Sequence, residues 1–268
     1  MNLCTVEHIK GEAAYTQHKH NAYQILFVRK GRASVRMYST EREVSGPAFV
    51  FINNLENHSI WTHDAEYERY SVIIDAKALQ QKIRNHILLS VFSCFNTTGR
   101  YILPVSEKLA ARTVPILDIL SEATAYPSQE AEAAALLQVL FYQVYRASPE
   151  YFRASETKID KAVWEIRRTI ENNPKTDITL SGLAENFFFD KYYLSHSFKK
   201  NTGYSIKHYT LLCRLSLARE LLQSTALSIA DICTESGFGD ISNFARFFKR
   251  EVGMPPTKYR QKSKERPN

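Results

Sequence analysis

The stretch from Ser228 to Arg260, SIADICTESGFGDISNFARFFKREVGMPPTKYR, constrains the fold more than any other in the chain. Ser228 is placed to cap a short helix in which Ile229, Ile232 and Cys233 recur at helical spacing. Gly237 then stops that helix, where a residue that tolerates positive φ is needed. Asp240 can cap a second helix whose apolar face is Ile241, Phe244, Phe247 and Phe248. The other face carries Ser242, Asn243, Arg246, Lys249 and Arg250, and Pro255 and Pro256 end the element. Such side chains reach base edges and phosphates, and a helix pair of this kind suits major-groove reading.

A second copy of the pattern lies upstream. Ile178 to Gly203, ITLSGLAENFFFDKYYLSHSFKKNTG, reads as a short helix, a turn, a cap at Asp190 and a second helix. Tyr193, Leu194 and Phe198 are its expected packed positions, while Tyr192, Ser195, His196, Lys199 and Lys200 point outward. Both copies close alike, on FKKNTG and FKREVG, and the amphipathic stretch SIKHYTLLCRLSLARELLQST joins them as a rigid helix. The ordered set LA, FKK, TG, RL, AR, LL, SI, GF, FKR, G, PP and YR, between Lys158 and Arg260, resembles the AraC/XylS transcriptional regulators. The resemblance implies two helix-turn-helix units on one long helix, and Tyr192, Ser195, His196, Ser242, Asn243 and Arg246 stand where that family reads bases. Lys191, Lys199, Lys200, Lys249, Arg250 and Lys258 flank those readers and are the expected phosphate contacts. Phe188 stands where the family often has Gly, so the first turn is expected to be looser than the second.

A chain of 268 residues suits two domains. Its basic charge is uneven. From Ser155 onward there are 19 Lys and Arg against 13 Asp and Glu, whereas the rest has 16 against 15, within a net +7. The excess sits on the half with the helix-turn-helix pattern, where it supplies salt-sensitive affinity for DNA. No apolar run approaches the ~18–20 residues of a membrane span, and the N-terminus lacks a signal peptide's apolar core, so a cytoplasmic protein is expected. Cys4, Cys94, Cys213 and Cys233 are far apart and read as reduced, buried thiols.

Upstream, residues 24–28, 33–38, 48–52, 59–62 and 67–74 are β-branched and aromatic runs separated by turn residues. Many short strands without helices between them suggest a small sandwich or barrel. HKHNAYQILFVRKG and SGPAFVFINNLENHSIW resemble the two strand motifs of the cupin-like sensor domain of the same family. His18, His20 and His58 raise a metal site, but Gln24 stands where metal-binding cupins place a carboxylate. The set His18, His20, Tyr23, Gln24, His58 and Trp61 is therefore read as a metal-free effector pocket, with Tyr23 and Trp61 as its aromatic walls. From Ala76 to Ala147 the periodicity turns helical, in the stretches 79–95, 105–126 and 130–147.

The fold class expected is α+β: a cupin-like β-barrel with appended helices, then an all-α tandem helix-turn-helix domain. The boundaries expected are 1–150 for sensing and dimerisation and 158–262 for DNA binding, with Pro149–Thr157 as linker. No GxSxG, P-loop or GxGxxG motif is present, so neither an enzyme nor a cofactor is expected. A cupin-type metal enzyme built on His18, His20 and His58 is the rival reading, and it leaves the C-terminal half unexplained. The resemblance implies double-stranded promoter DNA as partner, a small-molecule effector such as a carbohydrate, a homodimer, and RNA polymerase as a further contact.

Overall fold

The computed structural model describes residues 3–11, 14–18, 22–37, 40–54, 58–83, 85–93, 101–152 and 157–264. The chain divides into two compact units, Met1–Thr157 and Lys158–Asn268.

In the first unit, nine strands among the described residues form two antiparallel sheets. One has the order β1 (Cys4–Lys10), β8 (Glu68–Asp75), β3 (Ala22–Lys30), β6 (Ala48–Ile52) and β9 (Ile102–Pro104). The other has the order β2 (Ala14–His18), β7 (His58–Thr62), β4 (Arg32–Met37) and β5 (Thr40–Ser45). Side chains alternate across each strand, which gives the larger sheet two buried faces. Leu26, Val28, Val50 and Ile52 join Ala33, Val35, Met37, Val44 and Ile60 in an aliphatic core between the sheets. Tyr23, Ile25, Phe27, Phe49, Phe51, Tyr70, Val72 and Ile74 face the other way. They pack with Leu117 and Leu120 of α3 (Glu107–Thr124) and Leu137, Phe141 and Val144 of α4 (Glu130–Ala147).

Two expectations for this unit need correction. The stretch 79–95 is not one helix: α1 (Ala76–Lys82) and α2 (His86–Leu89) are separate, a 3₁₀ turn follows at Ser90–Ser93, and Cys94 lies outside the described residues. The stretch expected as linker also begins with packed residues. Pro149–Tyr151 is a 3₁₀ turn, and Phe152 is buried edge-on against Tyr145 with ring centres 5.2 Å apart. A proline-led, polar run hides two anchoring aromatics, Phe152 and the partly buried Tyr151.

The second unit is all helical: α5 (Lys158–Asn172), α6 (Leu180–Asn186), α7 (Lys191–Thr202), α8 (Ile206–Ser224), α9 (Ile229–Glu235), α10 (Ile241–Val252) and α11 (Pro256–Lys264). Its axis is α8, whose 19 residues span about 28 Å. The buried face of α8 changes along its length. Ile206, Tyr209, Thr210 and Cys213 lie on one side, whereas Leu215, Ala218 and Leu222 are rotated roughly half a turn at ~100° per residue. The first group meets α5 and α7. There the Tyr209 ring stands edge-on to Phe198 at 5.5 Å, and its hydroxyl bonds Glu171 and accepts from Arg167, both buried. The second group packs with Ile232, Cys233, Phe244 and Phe248 of the downstream helices and with Phe238 of the turn between them. Tyr259 of α11 closes that core over Phe248, and its hydroxyl accepts from Arg219 and Gln223 of α8. One helix thus carries a three-helix cluster on each of two opposed sides.

Candidate nucleic-acid interface

Each cluster holds a short helix, a turn and a longer helix. Thr179 caps α6 by accepting from Gly182 N at 3.1 Å. Ser228 caps α9 through a reciprocal pair, accepting from Asp231 N at 3.1 Å while the Asp231 carboxylate accepts from Ser228 N at 3.3 Å.

The two turns close in the same way. Phe187 N, Phe188 N and Phe189 N donate to the carbonyls of Leu183, Glu185 and Ala184 at 3.0, 3.2 and 2.9 Å. Ser236 N, Gly237 N and Phe238 N donate to Ile232, Thr234 and Cys233, each at 2.9 Å. Phe188 therefore occupies the corner held by Gly237, at φ 57° against 85°. The first turn is not looser, contrary to the expectation from its missing glycine. Phe188 can take the corner because its ring is 93% exposed and meets no packed neighbour that forbids a side chain. The turns differ afterwards. Asp190 directly follows Phe189, whereas Gly239 stands between Phe238 and Asp240, so the second turn is one residue longer.

Both longer helices are fixed at each end. Asp190 accepts from the amides of Tyr192 and Tyr193 at 2.8 and 3.0 Å, and Asp240 accepts from that of Asn243 at 2.7 Å. Left-handed Gly203 and Gly253 close them at the other end, donating to Lys199 O and Lys249 O. Between the caps, α7 buries Leu194, Ser197, Phe198, Asn201 and Thr202, and α10 buries Phe244 and Phe248. Tyr193 and Ile241, expected to be packed, are 51% and 46% exposed. In α7 the inner arc is filled instead by polar residues that bond back to the helix. Asn201 donates to Ser197 O and Thr202 to Phe198 O, both at 2.8 Å.

The base-reading candidates lie on the outer surfaces. Tyr192, His196, Ser242, Asn243 and Arg246 are exposed, and Ser195 is half-buried. Ser195 edges a cleft of about 410 Å³ between α6, α7 and α8, which Lys207 and Arg214 also line. Arg246 donates from Nη2 to Asn243 Oδ1 at 2.5 Å, so two of the candidates are joined. The phosphate candidates Lys191, Lys199, Lys200, Lys249, Arg250 and Lys258 are all exposed. Arg250 lies over the Phe247 ring at 4.8 Å and bonds Glu251 at 3.1 Å, which orients its guanidinium.

The members of the proposed pocket set whose side chains are described fall on two different faces. Gln24 and His58 face the interior between the sheets, where Gln24 donates to Ser71 Oγ at 2.9 Å. Tyr23 is the next residue along β3, so strand alternation turns it outward, onto Phe92 at 4.4 Å and to a bond from Gln80. Trp61 likewise faces away from Ile60 and lies under Arg36 at 5.1 Å. His18 pairs with His58 in the strand register, and His20 lies outside the described residues. Arg69 was missed by sequence reasoning, yet it is fully buried on the inward face beside Tyr67. Among the described residues, no three His, Cys, Asp or Glu gather as a metal site.

The profile of the AraC-like ligand binding domain matches residues 3–163, and that of a helix-turn-helix domain matches residues 183–262. The chain belongs to the AraC/XylS family. It is 24% identical over 156 residues to the Msm operon regulatory protein of Streptococcus mutans, across 58% of this chain and 56% of that protein. It is 33% identical over 107 residues to the transcriptional activator RhaR of Escherichia coli K12, across 40% of this chain and 36% of RhaR. The chain thus spans little more than half of one relative and about a third of the other. The fold is also that of ToxT from Vibrio cholerae, with a TM-score of 0.58 at 15% identity over 96% of this chain and 97% of that one. No helix among the described residues is long and apolar enough to cross a membrane.

Proposed function

We propose that the protein is a sequence-specific DNA-binding regulator of transcription that inserts α7 and α10 into successive major grooves of promoter DNA. The observation that carries this reading is the repeat of one exposed face on two capped helices: Tyr192 and His196 on α7, Ser242 and Arg246 on α10. Both helices belong to clusters on α8, whose length of about 28 Å is comparable to the ~34 Å between successive grooves. Tyr192, Ser195, His196, Ser242, Asn243 and Arg246 read bases, and Lys191, Lys199, Lys200, Lys249, Arg250 and Lys258 hold phosphates. The N-terminal unit binds a small-molecule effector and pairs two chains in the cytoplasm, with buried Gln24, His58 and Arg69 offering polar contacts between the sheets. Activation is supported by the kinship with RhaR, whose name describes an activator, and a contact with RNA polymerase belongs to the same proposal.

The test is selection of duplexes from a random-sequence pool by the full chain, followed by sequencing. The reading expects a motif of two boxes per chain. Recovered DNA without any enriched motif would contradict it.

A further inference from the structure

Besides sharing α8, the two helix-turn-helix clusters meet directly at the loop between α5 and α6. Arg214, midway along α8, donates from Nε to Pro174 O at 2.7 Å. Its Nη2 reaches the carbonyls of Thr176 and Lys175 at 3.3 and 3.5 Å. One guanidinium thus holds three successive carbonyls of the loop that leads into the first recognition unit. The same loop lies against the turn of the second. A Cβ on Gly237 would stand 2.9 Å from Lys175 Cα and 3.1 Å from Arg214 Nε, inside normal packing distance. Lys175 also reaches Glu235, the last residue of α9, at 2.5 Å. That exposed ion pair is weak by itself, but it aligns with the backbone contact.

A rod such as α8 fixes how far apart two clusters lie. It resists less well a small rotation of each cluster about the rod, because each grips it through a separate apolar face. Loop 174–176, pinned by Arg214 and wedged against Gly237, couples those rotations. We propose that Arg214 and the Gly237–Lys175 contact are positioning elements that set the spacing and phase at which the protein accepts its two DNA boxes. This rests on the reading that both recognition helices enter DNA. The glycine has two reasons to be where it is, its left-handed φ and the missing Cβ. Phe188, at the equivalent corner of the first turn, answers only to the first.

The test uses the full chain and a duplex recovered from the random pool, together with versions carrying one fewer, one more or two more base pairs between the boxes. Wild-type protein is expected to prefer the original spacing over a one-base-pair insertion by about tenfold, the scale of losing correct contacts at a base pair. Arg214→Ala removes the three bonds. Gly237→Asn keeps a residue that tolerates the left-handed corner but puts a Cβ against Lys175. Both variants are expected to flatten the spacing profile to about twofold, and Arg214→Lys to restore part of the preference. If Arg214→Ala does not fold by circular dichroism, the Asn and Lys variants carry the same comparison. An equal loss at every spacing would overturn the proposal and make Arg214 a phosphate contact. An unchanged profile in the variants would overturn it too. A wild-type protein indifferent to spacing would instead refute the two-groove reading, and the positioning role with it.

Discussion

Phe188 and Gly237 occupy the same left-handed corner of the two turns, each donating its amide to the carbonyl three residues back. A side chain at such a corner costs roughly 1–2 kcal/mol, and the exposed Phe188 ring offers little packing in return. Phe188→Gly is therefore expected to stabilise the protein by about 0.5–1 kcal/mol. Gly237→Ala is expected to destabilise it by more, since the added Cβ also meets the Lys175 backbone at 2.9 Å. Urea unfolding of the three proteins checks both signs. A loss of stability in Phe188→Gly would show that the ring packs on something of value.

Asn243 and Arg246 act as a joined pair on α10. Replacing either with Ala is expected to cost ~1–3 kcal/mol on a selected duplex and much less on random DNA. The double variant is expected to lose less than the sum, because each residue orients the other. Equal losses on both DNAs would make the pair a phosphate contact. Lys199→Ala, by contrast, is expected to weaken all sequences alike and to lower the salt slope by about 1.

Glu68 sits among His8 at 2.8 Å, Arg29 at 3.1 Å and Lys10 at 3.8 Å. Burial pushes its pKa up, but the His8 hydrogen bond and the Arg29 charge outweigh that and hold it below the usual 4.5. A carboxylate depressed in the folded state stabilises the protein above its unfolded pKa, and that stability is lost as pH falls through the folded value. Glu68→Gln should thus be less stable than wild type at pH 7, with the gap shrinking steadily as pH falls below 4.5. A gap independent of pH in urea titrations would refute the assignment.

Burial pushes the Cys4 thiol up to about 12, and burial together with the Glu171 charge pushes Cys213 well above its ordinary value. Neither thiol forms thiolate near neutrality. Iodoacetamide at pH 8 should leave both unmodified in the folded protein and alkylate both in urea, as mapped by mass spectrometry. Rapid alkylation of Cys213 in the folded protein would mean that the core between α5 and α8 opens readily.

What the sequence disclosed follows burial. The five strands legible in it became β3, β4, β6, β7 and β8, the interior strands of the two sheets. The four that were missed, β1, β2, β5 and β9, are the edges. The interior strands of the larger sheet are covered on both faces and read as apolar runs, whereas an edge such as TEREVS in β5 keeps a charged, exposed pattern. The paired turns, caps and outward basic faces were legible because each depends on local chemistry. Tyr193 was misplaced because Ser197, Asn201 and Thr202 are buried polar residues satisfied within α7, which hydrophobicity cannot reveal. Nothing local in the sequence marks Arg214, since its partners are carbonyls about 40 residues away. Tyr23 and Trp61 fall on faces opposite to Gln24 and His58, because strand alternation turns residues of odd separation apart.

The proposed function places two recognition helices of one chain in successive major grooves. Hydroxyl-radical footprinting of the full chain on a selected duplex tests it most directly. For each chain bound, two protected patches are expected on one face of the duplex about 10 base pairs apart, with Arg246→Ala weakening one and His196→Ala the other. A single protected groove segment per chain, insensitive to His196→Ala, would contradict it.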